Sequence, residues 1–230
     1  MNFEICTESI EGAMIAQKYK IKRIELCSAL SVGGLTPSIG LISNCVKNTA
    51  VEVHVLIRPR PGNFEYNSDE IAIMKTDIFE AKRVGASGVV FGVLKADLTL
   101  SEFNKELVAY AKSLNLGVTF HRAFDFIKDY KKGVEQIIAL GFDRLLTAGL
   151  QKTAEEGLEV INYLQANYGK QIQIMAGSGV NSLNALKMAS SGINNLHFSA
   201  HKTLNTNELF SMGAQHVIDE QKIKTITMLF

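Results

Sequence analysis

Gly117-Val118-Thr119-Phe120-His121-Arg122-Ala123-Phe124-Asp125 is the stretch that decides how the chain is read. Val118 and Phe120 alternate with Thr119 and His121, giving a strand with an apolar back and a polar front. Arg122 and Asp125 follow at once, so a fixed cation and a carboxylate stand where strand gives way to loop. A helical pattern from about Tyr130 to Leu140 comes next, completing one strand–helix unit with titratable groups at the strand's C-terminal end.

The unit recurs on both sides. Short strands are expected at Phe3–Cys6, Arg23–Cys27, Val51–Ile57, Gly88–Phe91, Arg144–Thr147, Gln171–Ala176 and Asn195–Phe198. Between them lie helical segments, among them Ser9–Lys18, Ser68–Val84, Ser101–Leu114, Thr153–Tyr168 and Ser182–Ser190. Ile71, Met74, Ile78 and Ala81 have the spacing of one buried stripe. Two prolines in Arg58-Pro59-Arg60-Pro61 stop the third strand.

Eight strands with seven intervening helices predict an α/β fold, a single-domain (β/α)8 barrel of TIM type. Residues 1–200 would form its core and 201–230 a tail with an atypical eighth unit: irregular to His216, then a helix capped by Asp219. An open doubly wound sheet competes, but its strands would be more continuously apolar. His201 and His216 are expected in solvent.

With 230 residues, 24 of them basic and 23 acidic, the chain carries a net charge of +1, so no overall field favours nucleic acid or an anionic membrane. Cys6, Cys27 and Cys45 lack CxxC spacing, the N-terminus lacks signal-peptide character, and no apolar run approaches a membrane span. These features predict a cytoplasmic protein.

Alternation also sorts the strand residues. The apolar sets, such as Phe3 and Ile5 or Val53, Val55 and Ile57, must face the helices. That leaves Glu4, Cys6, Glu25, Cys27, Glu52, His54, Arg58, Thr119, His121, Gln173, Met175, Asn195 and His197 pointing into the barrel. Such a lumen is far more polar than the usual packed interior, so its charges must pair with one another or meet water or a ligand. Cys6, Cys27, Arg58, His121 and Ser199 lie nearest the C-terminal strand ends, where this architecture places its sites.

The chain resembles the CutC family, assigned to copper homeostasis. The matching stretches are Arg23-Ile24-Glu25-Leu26-Cys27-Ser28, Gly33-Gly34-Leu35-Thr36-Pro37-Ser38, Ile57-Arg58-Pro59-Arg60, Val118 to Asp125 and Met175-Ala176-Gly177-Ser178-Gly179. The resemblance implies a barrel, a cytoplasmic location, self-association into a homo-oligomer and a copper assignment. Pro61, Asn63 and Ala148 depart from the family pattern, which has Gly, Asp and Ser there.

Three functional readings follow. In the first, Cys6 and Cys27 bind Cu(I), an ion that selects soft ligands, with Met175 or an imidazole near; scattered cysteines are otherwise ordinary core residues, as Cys45 is expected to be. In the second, the barrel is an enzyme for a small anionic or phosphorylated metabolite. His121 is then its acid–base group and Glu25 or Glu4 the partner carboxylate. Arg58, Arg60 and Arg122 supply charge, while Gly177, Ser178, Gly179 and Ser199 form an anion-binding rim, with Thr119 and Asp125 completing the ligand-facing set. A scaffold protein is the third, and it leaves His121, Arg122 and Asp125 unexplained.

Overall fold

The computed structural model describes residues 1–204 and 216–230. Eight strands form a closed, wholly parallel barrel in sequence order: β1 (Asn2–Thr7), β2 (Arg23–Leu26), β3 (Glu52–Leu56), β4 (Gly88–Phe91), β5 (Gly117–Phe120), β6 (Arg144–Thr147), β7 (Gln173–Gly177) and β8 (Asn195–Ser199). β8 returns to β1 with Glu4 beside His197 and Cys6 beside Ser199. The helices are α1 (Ile10–Lys18), α2 (Ile39–Asn48), α3 (Ser68–Arg83), α4 (Phe103–Ser113), α5 (Tyr130–Leu140), α6 (Leu158–Tyr168), α7 (Ala185–Ser190) and α8 (Glu220–Thr227). The expected α/β architecture, a TIM-type barrel, is therefore present.

Local chemistry sets the helix starts. The Ser9 side chain accepts from Gly12 N and opens α1, and Asn67 with Glu70 forms a capping box on α3. The four buried residues of α3 are Ile71, Met74, Ile78 and Ala81, the stripe read from the sequence. Outward strand residues such as Ile5, Ile24, Val55 and Phe120 join these helix faces in one core. Each such side chain, fully buried, contributes about 1.5–3 kcal/mol.

Two helices begin later than their patterns suggest. The segment from Thr153 to Gly157 is a turn closed by Thr153 and Glu156, because Gly157 presses against the Ala148–Gly149 backbone where no Cβ fits. Before α7, Asn184 Oδ1 accepts from Asn181 N and its Nδ2 donates to Gly179 O, so loop bonds occupy residues expected to be helical.

The tail also differs from expectation. His201–Thr203 (β9) pairs antiparallel with His216–Ile218 (β10), and the His201 and His216 rings meet edge to face with centres 5.1 Å apart, half-buried. The rest of the expected irregular stretch, 205–215, lies outside the described residues. Asp219 caps α8 as expected. Ile223 and Ile226 of that helix are buried, and Lys18 of α1 and the following Tyr19 donate to Glu220 at 2.7 and 2.8 Å.

Candidate functional site

The C-terminal strand ends surround a cavity of about 620 Å³, within the range that holds a small organic ligand. At its base β1, β2 and β8 bring together Cys6, Glu25 and His197, whose donor atoms all lie within 4.8 Å of one another. The strand pairing produces this grouping: Glu4 is beside His197, and Cys6 beside Glu25. All four side chains are buried.

Electrostatics tie the group into one unit. Glu4 Oε1 lies 2.8 Å from His197 Nδ1, and Glu4 Oε2 accepts from Arg23 Nε. Burial alone would raise the Glu4 carboxyl, but His197 and Arg23 together hold it far below the usual carboxylate range. Glu25 is lifted to about 7 by burial and by the nearby Glu4 charge, with His197 opposing. Its Oε2 stands 3.6 Å from His197 Nε2, too far for a hydrogen bond. Burial disfavours the His197 imidazolium, yet contact with Cys6 and Glu4 and the charge of Glu25 keep it well above the usual imidazole value.

The two thiols meet as expected. Cys6 Sγ and Cys27 Sγ are 3.6 Å apart, and that contact, together with burial, pushes the Cys6 thiol well up. Two thiolates each about 2.3 Å from a shared metal stand about 3.8 Å apart in a tetrahedral arrangement, so the observed spacing fits a common ion. His197 stands beside Cys6 and Glu25 as a further donor, though not within 4.8 Å of every donor in a set with Cys27, and Glu4 takes its Nδ1, the carboxylate–imidazole arrangement typical of metal-binding histidine. Met175 does not join them, since its sulphur accepts from Arg23 Nη2 at 3.2 Å. Cys45, on the buried face of α2, packs in the core, its thiol raised to about 11 by burial.

Higher in the mouth stand Arg58 and His121. Arg58 donates to the carbonyls of Val32, Gly34 and Gly62 at 2.7–2.9 Å and lies 5.3 Å from the Phe64 ring centre. His121 Nδ1 accepts from Ala123 N at 3.2 Å. Burial, reinforced by the Arg58 charge, lowers the His121 imidazole to about 3. The expected pairing of His121 with Glu25 or Glu4 is therefore corrected: Glu4 bonds His197, its register neighbour, and Glu25 lies 3.6 Å from the same ring, whereas His121 lies beyond the end of β5 and is tied to its own loop. An imidazole held neutral down to about pH 3 is also poorly matched to acid–base work near neutrality.

The other expected site residues divide between wall and frame. Arg122, Ser178, Gly179 and Ser199 line the cavity with Cys6, Glu25, Arg58 and His121. Ser178 adopts a φ of +82°, strained for a residue with a Cβ, and its hydroxyl donates to Lys152 O at 2.7 Å. Gly177, Thr119, Cys27 and Glu4 lie outside the cavity lining. Asp125 is structural: it accepts from Thr147 Oγ1, the N–H groups of Ala148 and Leu150, and Arg122 Nε. Arg60 turns away to Glu70 and to Asn63 Oδ1, which accepts at 3.0 Å where the family pattern has a carboxylate. Ala148 works through its backbone N–H, which a serine would supply equally.

Comparison with known proteins places this chain in a lineage. The model of the CutC family matches residues 1–202. The chain belongs to the CutC family. A CutC family protein from Vibrio vulnificus (strain YJ016) is 44% identical over 202 residues, covering 87% of this chain and 81% of its own. One from Bacteroides thetaiotaomicron is 42% identical over 234 residues, covering 98% and 93%. A crystal structure from Streptococcus agalactiae, described as a candidate copper homeostasis protein CutC, superposes with a TM-score of 0.78 at 33% identity, covering 86% of this chain and 98% of that one. The resemblance read from the motifs is thus shown, and the CutC barrel is shared.

Several contributors escaped the sequence reading. Arg23 was legible, since it alternates with Glu25 and Cys27 and so points inward. Leu56 and Val90 pack with the two thiols, and alternation likewise puts Leu56 on the inner face. Arg144, whose Nη2 is 3.3 Å from His54 Nε2, follows the same rule. Phe64 and the α8 residues Gln221, Lys222 and Thr225 also line the cavity, and no periodicity announces them.

Proposed function

We propose that the protein binds Cu(I) at the base of the barrel mouth, through the thiolates of Cys6 and Cys27 and the imidazole of His197. The observation that carries this reading is the 3.6 Å separation of the two thiol sulphurs on neighbouring strands. Soft thiolates with an imidazole suit Cu(I), and both thiols are buried. Glu4 holds the imidazole in place, while Arg23 balances the charge of Glu4. The description of the S. agalactiae relative as a candidate copper homeostasis protein supports the choice of ion.

The reading includes a cytoplasmic location, supported by three free cysteines and by the absence, among the described residues, of any helix long and apolar enough to cross a membrane. It also includes self-association, supported by the exposed Leu183 and Leu186 beside and on α7.

Anaerobic Cu(I) titration against a competing chelator tests the site. One ion per chain is expected, lost in Cys6→Ser and Cys27→Ser and weakened in His197→Ala. Unchanged stoichiometry and affinity in the two serine variants would remove these thiols as ligands.

A further inference from the structure

Above the thiols the mouth holds a cation without a counterion. Arg58 is 5% exposed and forms no ion pair with any carboxylate among the described residues. Its Nε–H has no hydrogen-bond partner there either. Three of its five N–H groups are spent on the carbonyls of Val32, Gly34 and Gly62, which position the guanidinium and leave its charge uncompensated. A buried, unpaired charge of this kind costs several kcal/mol, so its retention calls for a partner.

His121 adds a second unmet donor. The Ala123 N–H points at Nδ1, which must therefore be the acceptor nitrogen, and the ring proton resides on Nε2. That nitrogen is buried and has no partner among the described residues. His121 and Arg58 line the same cavity, whose remaining wall includes the apolar side chains of Leu30, Leu56, Leu146 and Val180.

We propose that the barrel mouth binds a small organic anion, its carboxylate or phosphate group taken by Arg58 and by His121 donating from Nε2, and its carbon skeleton lying against the leucine wall. The anion supplies the charge that Arg58 lacks and the acceptor that His121 lacks, so one ligand satisfies both. His121 is then a neutral hydrogen-bond donor in the site and not a proton-transfer group. The anion would share the cavity with Cys6 and His197, but neither Arg58 nor His121 is a proposed metal ligand, so the two readings can be tested separately.

A matched series tests it: butyl phosphate, butyrate and 1-butanol share a tail and differ in headgroup. With ¹⁵N-histidine labelling, His121 of the wild-type protein should show the Nε2–H tautomer, and its signal should move saturably with one or both anions but not with 1-butanol. The anion that moves it identifies the headgroup class. His121→Phe should weaken that anion by about tenfold to a hundredfold, and His121→Gln, which keeps a side-chain N–H, should recover part of the loss. An Nδ1–H tautomer, an equal response to 1-butanol, or no response to either anion at tens of millimolar would overturn the proposal. The wild-type spectra decide the matter even if a variant does not fold.

Discussion

Glu4 Oε1 lies 2.8 Å from His197 Nδ1, across the seam where β1 meets β8. The same carboxylate takes Arg23, so two cations depend on one buried anion. Glu4→Leu should therefore destabilise the fold by about 3–5 kcal/mol, measured by chemical denaturation. Glu4→Gln keeps an acceptor and should fold, but should weaken Cu(I) binding about 10- to 100-fold in a chelator competition. Equal affinities for wild type and Glu4→Gln would show that the carboxylate does not tune the imidazole as a ligand.

His54 gives the stability a sign with pH. Burial, with help from the Arg144 charge, lowers its imidazole from the ordinary 6.5 to about 3. Between those values the unfolded chain binds a proton that the folded chain refuses, so this group's contribution is lost as pH falls from 6.5 towards 3. His54→Gln should flatten the acid side of a stability-versus-pH curve by a few kcal/mol. An unchanged slope would mean that His54 is protonated in the fold.

Two glycines should respond to alanine in opposite directions. A Cβ on Gly88 would meet the His54 ring and, at 2.7 Å, the rigid Gly117 carbonyl. Gly88→Ala should cost at least about 2 kcal/mol, since neither strand can move without disturbing the barrel. Gly40, in α2, has only Ser38 Oγ at 4.0 Å, and Gly40→Ala should gain up to about 0.5–1 kcal/mol. Thermal denaturation of the two variants checks the contrast.

Asp125 and Arg122 form an ion pair at 2.8 Å whose members should not matter equally. Arg122 is 40% exposed at its side chain, so Arg122→Ala should cost no more than about 1 kcal/mol. Asp125 is 5% exposed there and holds three donors of the β6 loop besides Arg122, so Asp125→Ala should cost about 2–4 kcal/mol. A larger loss for Arg122→Ala would reverse the assignment of Asp125 as the anchor.

The barrel was legible because its signals are local and repetitive: alternation within Val53–Ile57 or Val118–Phe120, and one stripe on α3. Alternation also predicted that Cys6 and Cys27 face inward on adjacent strands. Which acid meets which base was not legible, because that depends on relative strand height. Glu4 reaches His197 and not His121 only because the β8–β1 register sets them side by side. The start of α6 was hidden for a similar reason. Gly157 yields to a backbone eight residues earlier, and no spacing rule within the helix reports it.

The seam between β1 and β8 also fixes when the proposed copper site can exist. Both thiols belong to the first two strands, but the imidazole that completes the set lies 193 residues beyond its carboxylate partner. A nascent chain would carry the sulphurs for most of its synthesis with no third donor, because non-local pairings form last and slowly. Copper capture by all three ligands would then double as a check on completed folding, and a chain stalled before β8 would hold the metal loosely, if at all.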